Sequence, residues 1–411
     1  VITSPTEPPR FFDKPLHARF VKRPNRFLVE CISGGKRIRA FLPNPGRLQE
    51  LLLPGSILHL IEENTNPERK TTFTVVAVER DGVPIMLHTH RTNQVARFLV
   101  ENGLIPTLRG ASVVKAEATV GRSRFDFLLN DDRGEIYLEV KSCTLVGERV
   151  AMFPDAVTAR GTRHLQELAK LSCEGKRTAV LLVVHWPFTE VFMPDYHTDL
   201  HFAQTLLNVH NDVDIIPVSV CWNEDLSLAT GVRILPIPWE YIEREAKDRG
   251  SYLLVLRLSE DKKINVGKLG SIVFKKGFYV YVGSAMANLT ARIERHQRLR
   301  KNFHWHIDSL RDATDFVCAL AIRSSDRLEC EIANTMSGIA EWTVQGFGSS
   351  DCACPTHLFG FKNDPASLTA FQRLLQYFRM DRYGGEGGTS ETGGKTAKEI
   401  KLGNVTTDER R

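Results

Sequence analysis

The sequence lacks any apolar run long enough to cross a bilayer as a helix; its longest, such as 180–184, are strand-length. A secretory leader is not expected either, because Val1 to Arg10 is polar and proline-rich. The eight cysteines (Cys31, Cys143, Cys173, Cys221, Cys318, Cys330, Cys352 and Cys354) are scattered except near the end, which argues against a disulfide framework. Free thiols in a reducing cytoplasm are the expectation. No internal repeat occurs, which excludes a solenoid or propeller. A strong charge imbalance is also missing: 54 basic against 49 acidic residues leave a formal charge of +5. That balance permits a phosphate polyanion as partner without demanding one. What is present, 42% hydrophobic and 25% charged residues over 411 positions, suffices for two or three globular domains.

Local patterning divides the chain. Residues 1–15 read as a flexible arm. Within 16–82, strand-like runs at 26–31, 37–42, 56–61 and 72–78 alternate with turn signals such as Pro43-Asn44-Pro45-Gly46, as in a small β-barrel. Across 83–240 the order is helix (92–102), three strands (111–120, 123–129, 135–143), helix (154–171) and a buried strand (177–185), followed by another helix and strand. That succession implies an α/β layer architecture. A further module is expected over 248–365, with strands at 252–258 and 278–282 and a basic helix at 288–300. Glycine, threonine and charge dominate 384–411, the composition of a disordered tail.

One constellation carries chemistry. Side chains alternate along a strand, so Glu139 and Lys141 share a face, and Arg124, Asp126 and Leu128 share another. If the two strands pair through the turn Asp131-Asp132-Arg133-Gly134, Asp126 and Glu139 approach each other. Two carboxylates suit a hard cation such as Mg2+, and a lysine beside them can hold a water or a phosphate. Glu117, one strand earlier, is a third candidate ligand. A solvated salt bridge is the rival reading, but the strand around Glu139 is otherwise apolar.

Residues from about 18 to 217 closely resemble the sugar fermentation stimulation protein A family. The resemblance rests on Arg23-Pro24-Asn25-Arg26-Phe27, Leu42-Pro43-Asn44-Pro45-Gly46-Arg47-Leu48, Ser123-Arg124-Phe125-Asp126-Phe127, Leu138-Glu139-Val140-Lys141-Ser142, Phe153-Pro154-Asp155-Ala156, Arg160-Gly161 and His164-Leu165. It implies an N-terminal OB-like barrel followed by a PD-(D/E)XK nuclease-like domain. Asp126 then takes the first acidic position and Glu139-x-Lys141 the second, thirteen residues on. DNA binding is implied for the family, and nuclease activity follows from its fold. Arg160 and His164 on the next helix become candidates for orienting the site or touching phosphate. In the barrel, Arg23, Asn25, Arg26, Phe27, Asn44 and Arg47 mix charge, amides and a ring, as a nucleic-acid surface does.

Residues 250–361 resemble a divergent branch of the GIY-YIG nuclease superfamily. The carriers are Gly250-Ser251-Tyr252, Tyr281-Val282-Gly283, Asn288-Leu289, Arg292, His296 and Gly348-Ser349-Ser350-Asp351-Cys352 with Cys354. The resemblance implies an α+β domain with Tyr252, Tyr281, Arg292 and His296 in its site. A metal-holding glutamate is implied too, Glu331 first and Glu329 as the alternate. Ser251 stands where isoleucine is usual, and a long insertion separates the tyrosines, so a catalytic domain and a fold kept for binding both stay open. Cys330, Cys352, Cys354 and His357 are a possible tetrahedral zinc set, with buried free thiols as the alternative.

Two functions follow as expectations: a Mg2+-dependent DNA endonuclease, or a non-catalytic DNA-binding transcriptional regulator of sugar metabolism that keeps nuclease folds.

Overall fold

The computed structural model describes residues 9–63, 71–121, 123–300 and 302–384, in two compact units, the second beginning at Gly250 and residues 323–325 belonging to the first. The expected tail lies outside the described residues from position 385, as do positions 1–8 of the expected arm. No helix among the described residues is long and apolar enough to cross a membrane.

The first unit opens with six strands: β1 (Leu16–Asn25), β2 (Leu28–Ser33), β3 (Lys36–Phe41), β4 (Ile57–Glu62), β5 (Phe73–Arg80) and β6 (Val83–Met86). Their order is β3-β2-β1-β4-β5-β6, and a parallel pairing of Ala40 with Phe73 joins β3 to β5. That pairing closes five strands into an OB-like barrel around Phe20, Val29, Ala40, Leu58 and Val75. Local pattern misses β1 because it buries little besides Ala18 and Phe20 and carries basic residues on its other positions.

Next come α1 (Thr92–Glu101), β7 (Ser112–Val120), β8 (Ser123–Asp131), β9 (Gly134–Cys143), β10 (Leu145–Val146), β11 (Val150–Phe153), α2 (Ala159–Cys173), β12 (Arg177–Val184), β13 (Val191–Pro194), α3 (Leu200–Val209), β14 (Asp214–Trp222), β15 (Leu228–Ile234) and α4 (Trp239–Glu245). The main sheet runs β15-β14-β12-β9-β8-β7, with β9, β12 and β14 parallel, a restriction endonuclease-like arrangement. Both faces of β12 are covered, which explains its unbroken apolar run. Val180, Leu182 and Val184 join the core with α2 and α3, while Ala179, Leu181 and Val183 join the core with α1. The turn between β8 and β9 forms as its composition suggests: Asp131 Oδ1 accepts from the Arg133 amide at 2.9 Å, and Gly134 takes φ 109°.

Two expectations need correction. The arm is not loose where it is described: the Leu228 amide donates to Pro9 O at 3.0 Å, and Phe12 is buried against Trp222. Burying aromatic surface outweighs the proline-rich composition there. Helix α2 starts at Ala159 rather than near 154, because the Thr158 side chain caps it by accepting from the Gly161 amide at 3.1 Å.

The second unit holds β16 (Gly250–Leu258), β17 (Lys262–Asn265), β18 (Ser271–Phe274), β19 (Gly277–Ala285), α5 (Leu289–Gln297), α6 (His306–Asp312), β20 (Asp315–Arg323), α7 (Glu329–Ser337), β21 (Trp342–Thr343), β22 (Leu358–Phe361) and α8 (Thr369–Gln376). It is an α+β domain whose sheet runs β20-β16-β19-β22-β21. The insertion between the two tyrosines folds as the β17–β18 hairpin. Helix α5 ends at Gln297, short of the expected 300, since Arg298 is already extended.

Candidate catalytic cleft and a second buried cluster

The β8–β9 ladder explains how the first site opens. Backbone pairing runs from Asp131–Gly134 to Phe127–Leu138 and stops there. Asp126 and Glu139 are the next facing positions. The Val140 amide donates to Asp126 Oδ2 at 2.7 Å, so a side chain takes over where the ladder leaves off. Asp126 Oδ1 accepts from Asn93 Nδ2 at 2.8 Å, from the first turn of α1. Around this opening lies a cleft of about 400 Å3, lined by Asp126, Glu139 and Lys141 together with Asn93, Asp155 and Arg160.

Glu139 is 4% exposed. Its Oε1 lies 2.5 Å from His164 Nδ1 and also accepts from the Lys141 ammonium. Burial alone would raise this carboxyl, but the hydrogen bonds and charges of His164 and Lys141 hold it below its ordinary value. Asp126 moves the other way: burial raises it first, and the Glu139 charge adds to that. Two neighbouring carboxyls are therefore biased in opposite directions by their surroundings. Glu139 Oε2 is buried with no hydrogen-bond partner among the described residues, and Asp155 Oδ2 is likewise. Burial raises the Asp155 carboxyl, and a cation between these orphaned oxygens would supply the missing partner; carboxylates are the ligands Mg2+ and Ca2+ take.

Other expected residues fall elsewhere. Glu117 lies across from Asp126 in the β7–β8 register, but it takes φ 54°, is exposed and pairs with Arg124 at 3.4 Å. It does not reach the cleft, so it is not a third ligand. His164 is 4% exposed and bound to Glu139, which makes it a support for the carboxylate rather than a phosphate contact. Arg160 lines the cleft, its Nε 3.4 Å from His164 Nε2. Arg23 spends its guanidinium on the carbonyls of Arg26, Asn44, Gly46 and Arg47 at 2.6–3.2 Å. Asn44 is buried, donating to Leu87 O at 3.1 Å and accepting from the Gly46 amide at 2.8 Å. Both residues build the 43–47 loop instead of facing solvent. Gly46 lets the loop approach Asp155 closely: a Cβ there would displace the Asp155 carboxylate. Asn25 accepts from the Phe27 amide at 3.0 Å and closes the β1–β2 turn. Arg26, Arg47 and Arg124 remain exposed.

Sequence reasoning missed Asn93 and the place of Asp155 in the cleft. The second was quoted only as part of a motif; its signal is a carboxylate directly after Phe153-Pro154, on the segment that leads into α2.

In the second unit, β16 and β19 bring Tyr252 and Tyr281 together, ring centroids 6.4 Å apart and both buried. Gly283 makes room, since a Cβ there would lie 2.6 Å from Tyr252 Cζ. The Tyr252 hydroxyl is 3.0 Å from His296 Nε2. Arg292 stacks on Trp305, its guanidinium carbon 4.3 Å from the ring centroid. Asp308 is bound by Arg295 at 3.0 Å and by the His304 and Trp305 amides at 2.8 and 3.1 Å. Burial would raise it, yet these partners and His296 hold it far below the usual carboxylate range. Burial pushes both tyrosines up, so neither ionises readily. Of the two candidate glutamates, Glu329 is half-buried and accepts from Ser284 on β19, the strand that carries Tyr281, whereas Glu331 is exposed. Glu331 is therefore set aside, and both oxygens of Glu329 are engaged, by the Ser284 hydroxyl and by His357 at 3.0 Å.

Comparison with known proteins covers nearly all of this. Residues 21–87 match the SfsA N-terminal OB domain, 90–225 the sugar fermentation stimulation protein RE domain, and 251–380 a domain of unknown function, DUF123. A sugar fermentation stimulation protein homolog of Methanothermobacter thermautotrophicus is 35% identical over 229 residues, 55% of this chain and 95% of the relative. A homolog of Pyrobaculum arsenaticum is 40% identical over 193 residues, 47% of this chain and 81% of its own length. Among solved structures, Pyrococcus furiosus SfsA in complex with Ca2+ shares 28% identity at a TM-score of 0.51, covering 55% of this chain and 96% of that one.

Proposed function

We propose, from the premise that this chain belongs to the sugar fermentation stimulation protein family, that its first unit binds DNA and hydrolyses a phosphodiester with a divalent cation at Asp126 and Glu139. The observation that carries this is the buried Oε2 of Glu139, without a hydrogen-bond partner among the described residues, in a cleft shared with Asp126 and Lys141. Binding alone gives no reason to bury carboxylates where an anionic backbone must approach. The relative from Pyrococcus furiosus was solved with Ca2+, a cation of the same hard, oxygen-seeking class as Mg2+.

Asp126 and Glu139 are the residues that would hold Mg2+, which supplies charge on a phosphoryl oxygen and an acidified water. Lys141 faces the same cleft and carries a charge suited to the developing negative charge of the phosphoryl group. His164 keeps Glu139 ionised and oriented. Arg160 on the cleft wall and the exposed Arg26, Arg47 and Arg124 are the groups available to backbone phosphates. The second unit, with buried tyrosines, Arg292 and His296, adds a further nuclease-like or DNA-gripping surface in this reading.

A second reading has its own support. The Lys141 ammonium is already paired with Glu139, so the cleft carries a partly neutralised anion without any metal, as a non-catalytic DNA-binding regulator would tolerate. Cleavage of single-stranded, duplex and branched DNA in Mg2+, with Glu139→Ala as control, separates the two. Cleavage abolished by Glu139→Ala supports the enzyme. DNA affinity without cleavage in either protein, tightened by Asp126→Ala, supports the regulator and refutes the nuclease.

A further inference from the structure

The second unit contains a cluster that the proposed chemistry does not use. Cys330 sits near the start of α7, Cys352 and Cys354 lie in the loop before β22, and His357 immediately precedes β22. Their three Sγ atoms and one ring nitrogen lie within 4.8 Å of one another. All three thiols are free.

The spacing has the scale of a tetrahedral centre. With Zn–S about 2.3 Å and Zn–N about 2.0 Å, a tetrahedral angle puts sulfur and nitrogen roughly 3.5 Å apart. Cys352 Sγ and His357 Nε2 are 3.5 Å apart. The histidine is also prepared as a ligand. It is 1% exposed, and its other nitrogen, Nδ1, lies 3.0 Å from Glu329 Oε1. A proton held at Nδ1 by a carboxylate leaves Nε2 as the lone-pair nitrogen facing the thiols, the outer-partner arrangement of metal-bound histidines. Glu329 is fixed in turn by the Ser284 hydroxyl, which donates to Oε2. The loop is cinched by backbone bonds: the His357 amide donates to Phe347 O and the Gly346 amide to Pro355 O, each at 2.8 Å. Cys330 is exposed, which leaves an entry path.

We propose that Cys330, Cys352, Cys354 and His357 bind one zinc-class ion tetrahedrally, with Glu329 as the outer partner of His357. Three thiolates and an imidazole select a soft or borderline metal over Mg2+. Glu329 also accepts from Ser284 on β19, the strand that carries Tyr281, so the ion is tied through it to the tyrosine-bearing sheet. A glutamate committed to His357 is not a free Mg2+ ligand, which separates this unit's metal chemistry from that of the first.

The test uses the full chain, reduced and stripped with a chelator, then titrated with zinc(II) and with cobalt(II). One equivalent of zinc per chain by elemental analysis is expected, and the cobalt form should show tetrahedral ligand-field bands with thiolate-to-metal charge transfer. Cys352→Ser and Cys354→Ser should lose this uptake, while Cys173→Ser, in the other unit, retains it. Glu329→Gln should keep the cobalt spectrum but bind about 10- to 100-fold more weakly. A reduced wild-type chain that takes up no zinc, or gives an octahedral cobalt spectrum without thiolate bands, overturns the proposal. So does uptake that survives in folded Cys354→Ser.

Discussion

His164→Ala isolates the support beneath the proposed cation site. In the native protein the imidazole lies 2.5 Å from Glu139 Oε1, and the carboxylate it holds is almost fully buried. A hydrogen bond to a charged group contributes about 1.5–3 kcal/mol. If that contribution serves to present Glu139 ionised and in place, its loss weakens cation binding by about 10- to 100-fold, since each 1.4 kcal/mol is roughly tenfold. The variant also changes the pH profile. His164 and Lys141 hold Glu139 below its ordinary value of 4.5 against the effect of burial. Without His164, burial gains and the carboxyl rises, so protons compete with the cation at higher pH. Calorimetric titration with MgCl2 at pH 8 and pH 6 should show a deficit that widens at the lower pH. His164→Gln, which can still donate to Oε1, should recover part of the affinity. DNA affinity without cation should hold, because His164 is buried. Equal affinity and an equal pH profile in wild type and His164→Ala would refute the reasoning.

Arg23→Ala removes the clamp that ties three carbonyls of the 43–47 loop to the β1–β2 turn and should cost about 2–4 kcal/mol in urea unfolding. Arg47→Ala, an exposed side chain on the same loop, should leave stability unchanged and lower the salt slope of DNA binding by about one. Glu50 has a buried carboxylate oxygen, and burial followed by the Asp155 charge pushes its pKa up to about 8 from 4.5. The folded state therefore keeps a proton that the unfolded chain releases, so this contribution is full below 4.5 and disappears as pH rises through about 8. Wild type should lose stability relative to Glu50→Gln across that window, measured by urea midpoints; parallel curves would contradict the assignment. Gly283→Ala puts a Cβ 2.6 Å from Tyr252 Cζ and 2.9 Å from Tyr281 Cε1. It should destabilise the second unit by about 1–3 kcal/mol in thermal unfolding.

Sequence alone determined which side chains share a face. Alternation set Glu139 beside Lys141, the Asp131-Asp132-Arg133-Gly134 turn joined β8 to β9, and the fixed spacing made Asp126 and Glu139 facing positions. The barrel, the α/β order and the α+β module were legible for the same reason: strand and helix periods are local properties of the chain. Only the tertiary structure decided where the β8–β9 ladder stops: β9 stays paired to β12 on its other edge through Cys143, while its pairing to β8 ends at Leu138 and the Asp126 side chain takes over. It alone placed His164 and Asn93, on separate helices, against the two carboxylates. It also diverted Arg23 and Asn44 from solvent to the loop they hold, since unpaired buried carbonyls must find donors. Glu329 and Glu331 are equivalent by composition, but two steps along a helix turn a side chain about 200°. Packing of α7 on the sheet chose which one reaches Ser284 and His357.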